Sequence, residues 1–177
     1  MKKTLAMLVV SVASFGGSAA ADSDLYLNAG LGLFDGDGAT LKALTARGGI
    51  AIHDLLSAEL EASFGLGAEQ VDGAPGAELK LENQFGGYLV GRYPVLPNLE
   101  VIGRIGYTTG EFQASAGGVA GDVETDGVAF GIGGEYMITP QFGLRGDYTR
   151  IDVDDDALDG GVNTFALAAV YRFGSLR

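Results

Sequence analysis

The chain has 177 residues, with 30 glycines, 4 prolines, no cysteine and a formal net charge of −12. That charge argues against a nucleic-acid partner, which requires a basic face. The missing cysteine excludes disulfides, thiolate metal sites and a lipid-modified cysteine at an export site, and the length is that of one domain.

Residues 1–21 read as a secretory signal peptide. Lys2 and Lys3 form a positive start, residues 4–15 are apolar, and Ala19-Ala20-Ala21 precede the expected cleavage at Asp22. The apolar run is too short to cross a bilayer as a helix, and no later segment offers about 18 consecutive apolar residues. Losing two lysines leaves the exported chain, 22–177, more acidic still.

Eight segments then alternate between apolar residues and small, polar or charged ones. The first, 24–34, sets Leu25, Leu27, Ala29, Leu31 and Leu33 against Tyr26, Asn28, Gly30 and Gly32. The second, 43–53, sets Leu44, Ala46, Ile50 and Ile52 against Thr45, Arg47 and Gly49. The third, 56–67, is the cleanest: Leu56, Ala58, Leu60, Ala62, Phe64 and Leu66 oppose Ser57, Glu59, Glu61 and Ser63. A helix would scatter both sets around its circumference, so a period of two prevails.

The fourth, 79–93, sets Leu81, Phe85, Leu89 and Tyr93 against Lys80, Glu82, Gln84, Tyr88 and Arg92, with Asn83 interrupting the apolar parity. In the fifth, 99–109, Leu99, Val101, Ile105 and Tyr107 oppose Glu100, Ile102 and Arg104. In the sixth, 127–137, Val128, Phe130, Ile132 and Tyr136 oppose Ala129, Gly131, Gly133 and Glu135. The seventh, 142–151, sets Phe142, Leu144 and Tyr148 against Arg145, Asp147 and Thr149. The eighth, 162–173, sets Phe165, Leu167, Ala169, Tyr171 and Phe173 against Thr164, Ala166, Ala168 and Arg172.

Short connectors at 53–55, 94–98 and 138–141 alternate with long ones at 35–42, 68–78, 110–126 and 152–161. Short periplasmic turns and long extracellular loops mark an all-β, eight-stranded, antiparallel, up-and-down transmembrane β-barrel with both termini periplasmic. Glu111 to Ala116 alternates weakly, which leaves open an extension of two strands beyond the membrane or an extra strand pair.

Charges at strand positions fall on one parity: Arg47, Glu59, Glu61, Lys80, Glu82, Arg92, Arg104, Glu135, Arg145, Asp147 and Arg172. A central Arg or Lys facing lipid costs about 2–4 kcal/mol, so this parity is assigned to the lumen. An eight-stranded interior is just wide enough for side chains to fill it. The near balance of signs points to a plug of ion pairs and ordered water. The cluster is either a satisfied structural core or a proton or ion path; the first reading is preferred. Tyr93, Tyr136, Phe142, Tyr171 and Phe173 near one end, with Tyr107, Phe130, Tyr148 and Phe165 near the other, supply two aromatic girdles.

Val101-Ile-Gly-Arg-Ile-Gly-Tyr107, Phe130-Gly-Ile-Gly-Gly-Glu-Tyr136, Leu144-Arg-Gly-Asp-Tyr148 and Ala169-Val-Tyr-Arg-Phe173 resemble the small outer-membrane β-barrel family. That group contains the OmpA transmembrane domain, OmpX, Ail and the opacity-type, porin-like barrels, and the likeness covers 25–173. It implies a Gram-negative cell-envelope protein and a terminal strand, with Phe165, Leu167, Tyr171 and Phe173, that is read by the barrel-assembly machinery. This signal departs from the family pattern at Ala168, where glycine is usual, and in the tail Gly174-Ser-Leu-Arg177. No peptidoglycan-binding domain is expected after Arg177.

Catalytic chemistry finds little support. Some barrels are lipid-modifying enzymes, but the one histidine, His53, lies at a short turn beside Asp54 and near Ser57. Asp152-x-Asp154-x-Asp156 begins like a calcium loop, yet Ala157 and Asn163 stand where such a loop needs Gly and Glu. No cofactor, metal site or catalytic residue is assigned. The expected role is non-enzymatic: envelope-structural or adhesin-like, through four extracellular loops. A narrow channel or a passage for small apolar molecules is the alternative, and a lipid-modifying enzyme comes third. Expected partners are outer-membrane lipid and lipopolysaccharide, the assembly machinery and an extracellular partner at acidic loops, with the barrel a monomer.

Overall fold

The computed structural model describes residues 25–36, 38–117, 119–153 and 161–173. The signal peptide expected at 1–21, the acidic run 154–159 and the tail after Phe173 lie outside the described residues.

The described residues form β1 (Leu25–Gly36), β2 (Ala39–His53), β3 (Leu56–Gly65), β4 (Ala68–Gln70), β5 (Ala77–Leu96), β6 (Leu99–Ala116), β7 (Val119–Met137), β8 (Phe142–Val153) and β9 (Gly161–Phe173). Every pairing is antiparallel. The strand order is β3-β2-β1-β9-β8-β7-β6-β5-β4, and pairing of β3 with β5 closes the ring. The count of nine reconciles with eight staves because β4 continues β3: Phe64 faces Asn83, and Ala68–Gln70 face Lys80–Glu78 farther along the same β5. The break between them lies opposite an irregularity in β5 between Leu81 and Asn83. Closure leaves the barrel without an unpaired edge among these staves.

The alternation sorts side chains as the period of two requires. On β1, Tyr26, Asn28 and Phe34 are buried in the lumen, while Leu27, Leu31 and Leu33 are exposed on the outer surface. On β9, Ala166, Ala168, Val170 and Arg172 point in, and Phe165, Leu167 and Tyr171 point out. The outward apolar band ends above in a polar collar that includes Asp35, Asn83, Asp126, Arg150 and Asn163. Aromatic pairs reinforce both ends, with Tyr148 and Phe165 centroids 5.1 Å apart and Phe142 and Tyr171 4.9 Å apart.

Three of the four long connectors are shorter or more ordered than expected. β1 and β2 run on to Gly36 and Ala39, so the 35–42 loop reduces to a tight turn with Gly38 at φ 75°. Its strands stay paired because Phe34 and Leu41 bury inward and Thr40 Oγ1 donates to Asp35 Oδ1 at 2.9 Å. Segment 68–78 forms a hairpin through β4, with Val71 N donating to Ala77 O at 3.0 Å. Segment 110–126 is an extended β6–β7 hairpin paired out to Ala116 opposite Val119. The long sides of β5, β6 and β7 therefore stand above the collar on one side of the barrel.

The lumen has two zones. Its lower half, nearer the chain termini, is mainly ionic, with Val90 and Ile102 of a second apolar cluster buried beside the charges. Its outer half holds Phe34, Ala39, Leu41, Ala43 and Leu81, with Leu79, Phe112 and Val162 packed against them. The plug expected from charge alone is thus only the lower part of the filling. Most of this apolar filling, Phe34, Ala39, Leu41 and Ala43, lies on the regular inward parity of β1 and β2, and a β-bulge adds Leu81: the register of β5 slips between Leu81 and Asn83, so its parity reverses above that point. Leu81, expected in lipid, is fully buried inside.

Candidate functional site

Five arginines and five carboxylates converge in the lower lumen, in two groups. The group nearer the periplasm is Arg92, Glu100, Glu135 and Arg172. Arg172 Nη2 lies 2.6 Å from both Glu100 Oε2 and Glu135 Oε1. Arg92 Nη1 lies 3.2 Å from Glu100 Oε2 and 3.1 Å from Glu135 Oε2, and Arg92 Nε donates to Ser57 Oγ at 3.2 Å.

The second group is Arg47, Arg104 and Arg145 with Glu59, Glu61 and Asp147. Arg47 Nε donates to Glu61 Oε2 at 2.6 Å, and Arg47 Nη1 to Asp147 Oδ2 at 3.0 Å. Arg104 bridges Asp147 Oδ1 at 3.0 Å and Glu61 Oε2 at 2.9 Å. Arg145 grips Glu59 in a two-pronged pair at 2.6 and 3.3 Å. Each group is electrically neutral, the arrangement that charges removed from water require.

Two tyrosines lie against the wall, Tyr88 within the second group and Tyr26 between the two groups. Tyr26 OH donates to Glu59 Oε2 at 2.9 Å while the Arg92 guanidinium sits 4.4 Å over its ring. Tyr88 OH donates to Glu61 Oε1 at 3.2 Å under the Arg104 guanidinium at 3.4 Å. Cation–π stacking and a charge-assisted hydrogen bond thus act on each ring together. Glycine makes the geometry feasible: a Cβ on Gly49 would overlap the Tyr26 ring, and one on Gly106 the Tyr88 ring. Tyr26 consequently ties Glu59 of one group to Arg92 of the other.

Nine of the eleven strand charges singled out in the sequence lie in these groups: Arg47, Glu59, Glu61, Arg92, Arg104, Glu135, Arg145, Asp147 and Arg172. Lys80 and Glu82 do not. They lie above the β5 bulge, face outward and pair with each other at 3.1 Å, partly exposed. Glu100 completes the first group and was left out of the eleven, although it shares its parity with Ile102 and Arg104. Its parity with Ile102 and Arg104 in the 99–109 segment is the signal that could have found it.

Above the ions comes a layer of neutral polar groups. Thr45 Oγ1 and Ser63 Oγ are hydrogen-bonded at 2.9 Å. The amides of Gln84, in register with Ser63, and of Asn28, one row lower in register with Arg47, are buried and find no protein partner among the described residues. Buried amides of this kind are satisfied by ordered water.

The hydrolase arrangement weighed for His53, Asp54 and Ser57 is not assembled. His53 and Asp54 are exposed at the β2–β3 turn, whereas Ser57 is buried in the lumen against Arg92. The calcium-like run continues into 154–160, outside the described residues. Phe165, Leu167, Tyr171 and Phe173 share the outward parity of β9, with the Tyr171 and Phe173 rings edge to face at 4.7 Å.

At the outer rim the described bases are ion-paired: Lys42 with Glu69 at 2.7 Å, Lys80 with Glu82, and Arg150 with Asp152 at 3.1 Å. Carboxylates outnumber them. Glu111 and Glu124 stand directly opposite each other on the extended hairpin, and Tyr107 OH donates to Asp126 below them.

A family model for the outer membrane protein beta-barrel domain matches residues 4–173. Comparison with curated proteins finds no match. Among solved structures, Ail of Yersinia pestis in complex with the heparin analogue sucrose octasulfate is 15% identical. It matches with a TM-score of 0.59, over 85% of this chain and 97% of that one. The N-terminal β-barrel domain of Pseudomonas aeruginosa OprF is 13% identical at a TM-score of 0.63, covering 86% and 98% of the two chains. OprG from the same organism is 14% identical at 0.62, covering 86% and 96%. Identities this low show a shared fold.

Proposed function

The chain belongs to the outer-membrane β-barrel family, and from that premise we propose that it is a non-enzymatic barrel, closed to ions, that supports the envelope and presents its outer hairpins to a partner. Its place is the bacterial outer membrane. The observation that carries the reading is the double filling of the lumen. Two neutral ion-pair groups occupy the lower half and an apolar cluster the upper half. The acidic rim bears on the partner: a polyanion such as the one held by Ail would meet like charge here. A neutral or cationic partner fits better. The outward aromatics of β9 support its role as an assembly signal, and the barrel acts as a monomer.

The deciding experiment is conductance of refolded protein in a planar bilayer, with folding checked on the same sample. A silent bilayer is expected; steady, cation-selective steps would overturn the closed barrel. A second reading, a narrow passage for ions or small apolar molecules, is favoured by the amides of Asn28 and Gln84, which have no protein partner among the described residues. On that reading the steps change when Glu59, Glu61 or Glu135 is replaced by glutamine.

A further inference from the structure

The ring of staves closes within the membrane band, but above the collar β7 outruns one of its neighbours. It pairs with β6 out to Val119 opposite Ala116, and with β8 only as far as Gly127 opposite Val153. Among the described residues, the stretch from Val119 to Asp126 therefore has a strand on one side only. In an antiparallel ladder every second residue turns its N–H and C=O away from a given neighbour. This stretch thus offers a row of backbone donors and acceptors to the solvent. It is longer than the about five or six residues of an ordinary strand.

The two faces of this extension differ. The rows Leu81–Phe112–Val123 and Leu79–Ala114–Gly121 continue the inward, apolar parity across β5, β6 and β7. They end at the edge in exposed valines, Val123 and Val119, the latter 75% exposed. The opposite face carries Glu111, Asp122, Glu124 and Asp126. Asn83 donates to Glu111, Gln113 to Asp122 and Tyr107 to Asp126. These donors are neutral, so the face keeps its negative charge.

That charge decides what the edge accepts. The sequence after Val153 is Asp154-Asp155-Asp156. Prolonging the β7–β8 ladder in register would set Asp154 opposite Asp126 and Asp156 opposite Glu124. A two-fold pairing of two copies centred on Val123 would set Asp122 of one opposite Glu124 of the other. Like charges directly opposite destabilise a strand pair, so both ways of covering the edge with this chain's own sequence are opposed. We propose that the outer edge of β7 binds a partner protein by strand addition, the partner supplying an extended segment in which apolar residues alternate with Lys or Arg. The backbone ladder supplies affinity, the valines of β7 receive the apolar side chains, and Asp122, Glu124 and Asp126 select the basic ones. This names the partner class for the outer hairpins and rests on the reading that the barrel presents them.

The test uses refolded barrel in a non-ionic detergent and labelled peptides of about ten residues: a Lys-Val repeat, a Glu-Val repeat, and the Lys-Val repeat N-methylated at every residue, which blocks a ladder. Folding is checked by heat-modifiable gel mobility. Fluorescence anisotropy should show the Lys-Val repeat binding about tenfold more tightly than either of the other two. Asp122→Lys with Glu124→Lys should reverse the preference between the two charged repeats by about tenfold, the scale of several exposed ion pairs. Amide hydrogen exchange reads the edge itself. Every second amide of residues 119–126 should exchange quickly in the protein alone and about tenfold more slowly with the Lys-Val repeat bound. Equal binding of the N-methylated peptide would reveal a contact through charge alone and overturn strand addition. Slow exchange of the whole edge without peptide would overturn it too. Protection independent of protein concentration would mean that this chain covers its own edge, and protection rising with concentration would mean a second copy. A conducting barrel would refute the closed lumen and leave the edge as it stands, so the two failures are told apart.

Discussion

Arg145 and Glu59 form an opposite-charge pair with both side chains fully buried in the lumen, and their consequences belong to the residue scale. Replacing Arg145 with Met removes the two-pronged partner of Glu59 and leaves it the longer Arg104 contact at 3.7 Å and the Tyr26 hydroxyl, with one carboxylate in excess in the group. The expected cost is about 3–5 kcal/mol, read from denaturant unfolding in lipid vesicles. Replacing both, as Glu59→Leu with Arg145→Met, should restore most of it, because no unpaired charge remains. A value for the double variant as low as for the single one would mean that the contacts of Glu59 with Tyr26 and Arg104 matter more than its pair with Arg145. The lumen glycines supply a sharper comparison. Gly49→Ala pushes a Cβ into the Tyr26 ring and should cost about 1–3 kcal/mol as an overpacking change. Gly103→Ala on the lipid face meets open space, and its unfolding midpoint should stay within error of wild type.

At the scale of elements, β5 and the hairpin above it are the informative cases. Alternation along 79–93 was legible, and so was its interruption at Asn83. It was not legible that the interruption is a bulge, because a single polar residue on an apolar face reads equally as an interfacial residue in a regular strand. Only pairing with β6 shows the slip, and the slip moves Lys80 and Glu82 outside and Leu81 inside. The β6–β7 hairpin is a similar case. Its outer part alternates weakly because both faces are wet above the collar, so hydrophobic patterning carries little signal there. Replacing residues 113–122 with Asn-Gly keeps the Phe112 to Val123 register and should leave the heat-modifiable mobility of the folded barrel unchanged. Loss of folding would mean that the hairpin is part of the stability core and not an appendage.

For the whole molecule, the proposed closed barrel makes the two zones of the lumen seals in series. Phe34→Ala with Leu41→Ala empties much of the upper cluster while leaving the ion pairs below intact. This double variant is therefore expected to stay silent in a planar bilayer, and open steps would show that the apolar cluster alone blocks the barrel. The sequence by itself determined the β-barrel class, the two faces of each strand and most of the inward charges, because a period of two and the cost of charge in lipid are local rules acting on every residue. It could not determine which charges meet. Arg47 and Asp147 are a hundred positions apart, and Glu59 and Arg145 only slightly less. Closure of the ring through β3 and β5, the slip in β5 and the stagger of strands around the barrel bring them together. These are properties of strand pairing, and pairing exists only in the folded chain.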